Sequence, residues 1–130
     1  RTPVAMYTST DRLVDIGINK SNSPWSKGDM SILRDFYRAN ISNLFTEVSF
    51  SQDTVITINH RNFAVFEFVS TISDDNQTFG SGRTSIRKYS LIGYTSYGGE
   101  VWLFNFSAPA QDWQDWQGTA KSILQSIELK

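Results

Sequence analysis

The chain has 130 residues and a formal net charge of −1, from 12 basic and 13 acidic side chains. This balance argues against a dedicated nucleic-acid-binding protein, which normally carries an excess of basic residues. The chain has no cysteine, which excludes disulfide bonds, thiolate zinc sites and a cysteine nucleophile. No apolar run approaches the roughly 20 residues of a membrane-spanning helix. The length predicts a single domain, residues 1–130.

The N-terminal part of the chain predicts an edge segment, a strand and a loop. Pro3 argues against a central strand, so residues 1–10 are interpreted as an edge segment or arm. Residues 12–19 alternate between apolar and polar side chains, which favours a strand. Residues 20–27 contain Ser21, Asn22, Ser23, Pro24 and Ser26, a composition that predicts a loop. Trp25 lies inside this loop, where its ring either plugs the core or contacts a ligand or partner.

A first long helix is predicted after this loop. Ser26 and Asp29 resemble a capping box, with Asp in place of the usual Glu or Gln. Apolar residues then recur at helical spacing and predict a helix that ends near Phe45. These residues are Met30, Leu33, Phe36, Tyr37, Ile41, Leu44 and Phe45.

Three strands are predicted in the middle of the chain. Residues 46–50 form a short candidate, and residues 54–59 form a stronger one that is rich in β-branched side chains. Residues 63–72 form the third, and both of its faces are mostly apolar. Residues 73–82 are the most loop-like stretch of the sequence, and we expect them to be the most mobile.

The turn between the second and third of these strands contains His60 and Arg61. The composition of residues 59–62, Asn-His-Arg-Asn, is typical of a turn. If His60 and Arg61 form the loop, the strand pairing follows from the antiparallel ladder. Ile58 would then face Phe63, and Ile56 would face Val65.

The clearest local signal is a hairpin in the last third of the chain. Two apolar runs, residues 86–97 and 100–106, are separated by Gly98 and Gly99, which predicts a tight turn. Gly93 is predicted to leave room for the Phe104 ring across the ladder. The expected pairs are Ser96 with Val101, Thr95 with Trp102, Tyr94 with Leu103, Gly93 with Phe104 and Leu91 with Phe106.

Alternation along this hairpin places large apolar groups on both faces, so we expect a central sheet that is covered on both sides. A last helix is predicted beyond Pro109, because proline is favoured at helix entrances. Its apolar residues recur at helical spacing. They are Trp113, Trp116, Ala120, Ile123, Leu124 and Ile127.

The sequence shows no catalytic constellation. The single histidine, His60, is interpreted as a solvated turn residue, because a catalytic histidine needs an orienting acid and a nearby nucleophile. Asp74 and Asp75 offer carboxylate oxygens of the kind that Ca²⁺ binds, but no later Glu completes the spacing of an EF-hand. We therefore predict no catalytic residue, no metal site and no cofactor, and the sequence leaves a metal near Asp74 and Asp75 open.

The end of the chain combines three features: residues 101–109 (Val-Trp-Leu-Phe-Asn-Phe-Ser-Ala-Pro), Trp113 or Trp116, and residues 122–127 (Ser-Ile-Leu-Gln-Ser-Ile). This pattern resembles the PsbP-like superfamily, the fold of the photosystem II extrinsic subunit PsbP, a yeast Ran-binding import factor and small bacterial envelope proteins. The resemblance implies an α+β fold, an α/β/α sandwich with a mainly antiparallel sheet covered by helices on both faces. The basic arm of the photosystem subunit and the acidic Ran-binding patch have no match here, so neither specific role transfers.

The resemblance also implies a non-catalytic accessory or binding domain that docks on a larger protein assembly. Trp25, Arg87 and Tyr97 are the predicted partner contacts, with Arg87 in a small basic patch that also contains Arg83 and Lys88. The alternative is a small-molecule carrier or enzyme with a cavity between sheet and helix. Trp102, Phe104 and Trp113 would line that cavity.

The expected location is the bacterial periplasm or cell envelope, with the cytoplasm as the open alternative. No signal peptide is visible, but the sequence begins with Arg1 rather than Met. A lipid anchor upstream of Arg1 therefore stays open. We expect a protein partner, no nucleic acid and no transmembrane segment.

Overall fold

The computed structural model of the chain describes residues 2–11, 13–22, 29–74 and 84–129. Trp25, Ser26, Asp75, Arg83 and most of the predicted loop at residues 73–82 lie outside these described residues. Within the described part, the helices and strands follow one another along the chain. They are β1 (Thr2–Thr8), β2 (Asp15–Ser21), α1 (Met30–Leu44), β3 (Glu47–Ile58), β4 (Arg61–Asp74), β5 (Thr84–Tyr97), β6 (Glu100–Pro109), a 3₁₀ turn (Ala110–Asp112) and α2 (Trp113–Gln125).

The strands form one six-stranded sheet with the order β1-β2-β6-β5-β4-β3. Every neighbouring pair is antiparallel. This confirms an α+β chain with an antiparallel sheet, and β1 lies at one edge, as Pro3 predicted. In the described part of the chain, neither helix is long and apolar enough to cross a membrane.

The predicted β5–β6 hairpin is confirmed residue by residue. Gly98 and Gly99 form the turn, with φ angles of +61° and +79° that suit glycine. All five expected pairs are present, from Ser96 with Val101 to Leu91 with Phe106. Both strands extend beyond the predicted ends, to Thr84 and to Pro109.

The β3–β4 hairpin differs from the prediction by two residues. The loop consists of Asn59 and His60, with φ angles of +48° and +68°. Two consecutive positive φ angles suit a two-residue hairpin loop, so Ile58 pairs with Arg61 and Ile56 pairs with Phe63. The predicted pairing was therefore wrong, although a shift of two keeps each side chain on its own face.

The two strands predicted at residues 46–50 and 54–59 are one continuous strand, β3. Its pairing with β4 shifts between Phe50, opposite Phe68, and Gln52, opposite Glu67. Ser51 is the extra residue of this β-bulge. A bulge bends its strand and redirects side chains, so polar residues near position 51 are compatible with an unbroken strand.

Helix α1 begins three residues later than a capping box with Ser26 as its N-cap would place it. Asp29 is the N-cap residue, and its carboxylate accepts a hydrogen bond from the Ser31 backbone N–H at 2.7 Å. The predicted role of Asp29 inside the first turn was therefore wrong. Leu33, Tyr37 and Ile41 form the buried stripe of the helix, as their spacing of four residues predicts.

The core consists of two clusters of buried side chains, and consecutive residues of β4 alternate between them. The first joins Ala120 and Leu124 of α2 to sheet residues that include Phe63, Val65, Tyr89, Leu91, Phe104 and Phe106. The second joins Leu33, Tyr37 and Ile41 of α1 to sheet residues that include Ala64, Phe66, Phe68, Tyr94, Val101 and Leu103. The predicted division of the hairpin into two apolar faces is confirmed.

Gly93 makes room for helix α2 rather than for the ring across the ladder. A Cβ atom at position 93 would lie 2.8 Å from Cδ1 of Leu124 and 3.5 Å from Cδ2 of Phe63. The three atoms nearest to such a Cβ belong to Leu124 and Phe63, and none belongs to Phe104. The missing side chain lets Leu124 approach the backbone of β5 directly.

Candidate functional site

Aromatic side chains of the β5–β6 hairpin meet at the end of the sheet where the chain turns. The rings of Tyr97 and Trp102 lie 6.3 Å apart, centroid to centroid, at an angle of 73°. Trp102 Nε1 donates a hydrogen bond to the Tyr97 carbonyl oxygen at 3.3 Å. Both rings are partly exposed, so they present apolar surface to solvent while their orientation is fixed.

Two cations flank these rings. The Arg61 guanidinium carbon lies 4.6 Å from the Tyr97 ring centroid, and Arg61 donates to the Ser96 carbonyl oxygen at 3.1 Å. Lys20 Nζ lies 5.7 Å from the Trp102 ring centroid and 3.7 Å from a carboxylate oxygen of Glu100. Cations over aromatic faces are held by the ring quadrupole, and this arrangement keeps both positive groups at the surface.

An apolar hollow of about 380 Å³ adjoins these residues, between the sheet and the C-terminal end of α2. Its walls include Ile18, Phe63, Trp102, Phe104, Ile123 and Ile127. We call the hollow, together with Lys20, Arg61, Tyr97 and Trp102, the hairpin-end surface. Trp102 and Phe104 are two of the three aromatic residues that the carrier interpretation placed in one cavity. The third, Trp113, does not line this hollow.

Arg87, a predicted partner contact, lies far from the hairpin-end surface. It lines a separate open hollow of about 670 Å³ with Leu13, Pro109 and Trp113. Arg87 and Tyr97 are ten positions apart on one extended strand, a separation of roughly 33 Å. The structure therefore does not bring these two predicted contacts together, and Trp25 lies outside the described residues.

The predicted basic patch at the start of β5 is divided by the sheet. Neighbouring residues of a strand point to opposite faces, and Arg87 and Lys88 line different hollows. Arg83 lies outside the described residues. The prediction of one shared basic surface was therefore wrong for Arg87 and Lys88.

A buried carboxylate, Glu67, forms the centre of a polar network that the sequence did not predict. Its side chain is only 4% exposed. One oxygen accepts a hydrogen bond from Ser51 Oγ at 2.7 Å. The other accepts from Tyr89 Oη at 2.6 Å and from Gln117 Nε2 at 2.9 Å, and lies 3.5 Å from Lys121 Nζ. The network links the bulge of β3, strands β4 and β5, and helix α2.

The electrostatics of this network keep Glu67 ionised and Tyr89 protonated. Burial raises the pKa of Glu67, but the hydrogen bonds from Tyr89, Gln117 and Ser51, with the charge of Lys121, outweigh it and leave the pKa below its usual value. Burial and then the adjacent carboxylate raise the pKa of Tyr89. A carboxylate with this many donors is a poor general base, so the network is suited to holding α2 on the sheet.

One sequence signal for this network existed. Glu67 falls on the same strand face as Phe63, Val65 and Val69, all apolar, and a lone carboxylate on a buried face requires partners. The hydrogen-bond partners of Glu67 could not be predicted from the sequence, because they are distant from it along the chain. Gln117, for example, is 50 residues away from Glu67.

The remaining residues considered for chemistry are His60 and the aspartates at positions 74 and 75. His60 lies exposed in the β3–β4 turn. Among the described residues, no group of three His, Asp or Glu side chains is positioned to hold a metal ion. Asp75 and the side chain of Asp74 lie outside the described part, so the metal question at that loop is not tested.

No protein-family model matches the chain, and no curated protein matches it. Solved structures do. The crystal structure of PA94 from Pseudomonas aeruginosa, a protein of unknown function proposed to be a regulator, superposes with a TM-score of 0.73 at 10% sequence identity, over 97% of this chain and 82% of that chain. The solution structure of cyanobacterial PsbP (CyanoP) from Synechocystis sp. PCC 6803 gives 0.66 at 10% identity, over 96% of this chain and 73% of that chain.

Proposed function

Because the chain has a PsbP-like fold, we propose that it is a non-catalytic accessory domain that docks on a larger protein assembly. The two similar structures support this proposal, since one is PsbP and the other is proposed to be a regulator. The network around Glu67 also supports it, because a fully hydrogen-bonded carboxylate favours structural stabilisation over acid–base chemistry.

The observation that carries the proposal is the hairpin-end surface. Interface hot spots are enriched in Trp, Tyr and Arg, and they cluster in well-packed pockets near the centre of an interface. Trp102, Tyr97 and Arg61 supply these residue types, and the hollow beside them offers apolar area for an inserted side chain. Tyr97 is thus the predicted contact that this proposal retains. Arg87 and Trp25 stay predictions, because no observation tests them.

We further infer an α/β/α arrangement, in which α1 and α2 cover opposite faces of the sheet. The division of the core into one cluster with α1 and another with α2 supports this inference. The participation of all six described strands in one sheet supports a single domain.

We also infer that the protein acts in the bacterial periplasm or envelope, which cell fractionation tests. Recovery of the protein in the cytoplasmic fraction alone would contradict that location.

Site-specific photo-crosslinking tests the docking proposal. A photoreactive amino acid at position 97 is expected to give one discrete adduct in cells that contain the native assembly. The same amino acid at Ile32, an exposed position on α1, serves as the matched control and is expected to give none. The adduct should disappear when the protein with the photoreactive amino acid at position 97 also carries Trp102→Ala or Arg61→Ala. Equal labelling from both positions, or no adduct, would contradict the proposal.

A second candidate is a carrier for an apolar small molecule in the same hollow. The volume of about 380 Å³ favours it, because this lies within the size range of ligand pockets. The presence of Trp102 and Phe104 in the walls also favours it. An apolar fluorescent probe should then bind with saturation and quench Trp102. If Trp102→Ala leaves probe binding unchanged, this candidate fails while the docking proposal stands.

A further inference from the structure

A third hollow lies on the sheet beside α1, and its lining combines polar and apolar side chains. It encloses about 320 Å³ and includes Ser70, Lys88, Ser90, Asn105 and Ser107. We call this set of residues, with the space above them, the serine hollow. It is separate from the hairpin-end surface, because Trp102 and Tyr97 do not line it.

The strand register places these polar side chains next to one another. Ser70 is directly opposite Lys88 in the β4–β5 ladder, and Ser90 is directly opposite Ser107 in the β5–β6 ladder. Directly opposite residues have Cβ atoms roughly 5 Å apart, and Lys88 and Ser90 are roughly 7 Å apart along the same face. One cation and three hydroxyl groups therefore share one small area of the sheet.

The side chains of the serine hollow have no hydrogen-bond or ion-pair partner among the described residues. Ser70, Ser90 and Ser107 are 2%, 7% and 9% exposed, yet none of their hydroxyl groups hydrogen-bonds to any residue that the structure describes. Lys88 likewise forms no ion pair within the described ranges. Within the described residues, every completely buried side-chain oxygen or nitrogen has a hydrogen-bond partner. Because the three serine hydroxyls have none there, they are not completely buried, and we infer that they face the hollow that they line. Buried polar groups normally have partners, which water or a ligand must supply here.

The charge of Lys88 and the exposed apolar side chains of the lining define the chemistry of a suitable ligand. Lys88 is the charged side chain among the described residues that line the hollow, and no carboxylate lines it. Three large apolar side chains of the lining, Leu44, Ile72 and Ile86, are 70%, 47% and 54% exposed. A cation with hydroxyl donors suits an anionic oxygen group, and the apolar lining suits a hydrocarbon chain.

We propose that the serine hollow binds a small organic anion with an apolar chain, its carboxylate or phosphate head at Lys88 and the serines and its chain against Leu44, Ile72 and Ile86. This site is independent of the proposed docking function, since it lies elsewhere on the fold. The volume admits one ligand at the small end of the range seen for ligand pockets, about 300–1,000 Å³.

Titrations with three ten-carbon probes, followed by amide NMR shifts, test the proposal. Decanoate and decyl phosphate present the two anionic heads, and decanol presents the same chain without charge, all below their aggregation concentrations. We expect saturable shifts of the Ser90 and Ser107 amides with at least one anion, and decanol about tenfold weaker. Binding of only one anion identifies the head group. Equal binding of all three probes, shifts centred on the Trp102 indole, or no saturable shift with either anion would overturn the proposal.

Variants of neighbouring basic residues separate the charge effect from the fold. Lys88→Met should weaken the bound anion about tenfold and leave decanol unchanged, whereas Lys88→Arg should retain most of the affinity. Arg87→Met removes the same charge from the opposite face and should change the affinity less than twofold. Because Lys88 is exposed, the variants should keep the wild-type spectrum away from the hollow. Equal losses from Lys88→Met and Arg87→Met would overturn the site.

Discussion

Two polar clusters lie on this sheet, and they differ in how completely their hydrogen bonds are satisfied. Around Glu67, one carboxylate receives three hydrogen bonds and lies near Lys121. In the serine hollow, three hydroxyl groups and Lys88 have no partner among the described residues. Both clusters sit in a largely apolar sheet, so their polarity alone does not reveal their roles.

The difference separates groups that stabilise the fold from groups that are ready for a ligand. A saturated network contributes its interactions to folding, and removing one member leaves the others buried without partners. An unsaturated set contributes little to folding, because its hydrogen bonds go to water in both the folded and the unfolded chain. Mutations should therefore have large effects on stability in the Glu67 network and small ones in the serine hollow.

The largest effect is expected for Glu67→Gln. The substitution keeps the volume but removes the charge and turns one acceptor into an NH2 donor, which must face either Ser51 or the pair Tyr89 and Gln117. We expect the free energy of unfolding to fall by about 3 kcal/mol, measured by urea denaturation. Glu47→Gln, at an exposed position on β3, is the matched control and should change stability by less than about 0.5 kcal/mol. Equal effects of the two substitutions would show that the network is not a stabilising unit.

Acid should reduce the difference between the wild type and Glu67→Gln. The pKa of Glu67 in the folded chain lies below its usual value of 4.5, so folding favours the ionised form. The resulting stabilisation is complete above the unfolded-state pKa and is lost as the pH falls through the folded-state pKa. Denaturation at pH 7 and at pH 3 should therefore give a smaller difference at pH 3. A difference that does not change with pH would contradict the role of the charge.

A smaller loss is expected for Tyr89→Phe, which removes one donor from the carboxylate. Hydrogen bonds to charged groups contribute about 1.5–3 kcal/mol, and three other polar groups remain around Glu67, so we expect about 1.5 kcal/mol. Tyr7→Phe on the exposed edge strand β1 is the control.

The pKa of Tyr89 is raised above its usual value of 10.0, so wild-type stability should also decline above about pH 10, and Tyr89→Phe should lack that contribution. The same alkaline decline in both proteins would assign it to other groups.

The contrast between the two hairpins shows what local sequence determines about the fold. Gly98 and Gly99 both have positive φ angles, which glycine adopts freely, so the β5–β6 register was predictable. In the β3–β4 hairpin the positive φ angles belong to Asn59 and His60. Asn and His adopt such angles more often than most residues but less freely than glycine, so their signal is weaker, and the composition of residues 59–62 fits more than one loop.

The candidate sites were less predictable than the fold, because they combine residues that are distant along the chain. Tyr97 was identified from its place at the hairpin, but its contact with Arg61 depends on the pairing of β4 with β5. The serine hollow depends on two ladders at once, β4–β5 and β5–β6. Ser70, Ser90 and Ser107 are ordinary residues in the sequence, and they become unusual only because they are buried without hydrogen-bond partners among the described residues.

The smallest effect is expected in the serine hollow itself. Ser90→Ala removes a hydroxyl that hydrogen-bonds to no residue within the described ranges, so the free energy of unfolding should change by less than about 0.5 kcal/mol. Ser51→Ala, which removes a hydroxyl bonded to Glu67 at 2.7 Å, should cost about 1.5 kcal/mol in the same assay. Chemical denaturation of both variants compares the clusters with the same atom deleted. An equal loss of stability in the two variants would contradict the contrast between the clusters. It would mean that the Ser90 hydroxyl stabilises the folded chain beyond what its hydrogen bonds to water provide in the unfolded chain.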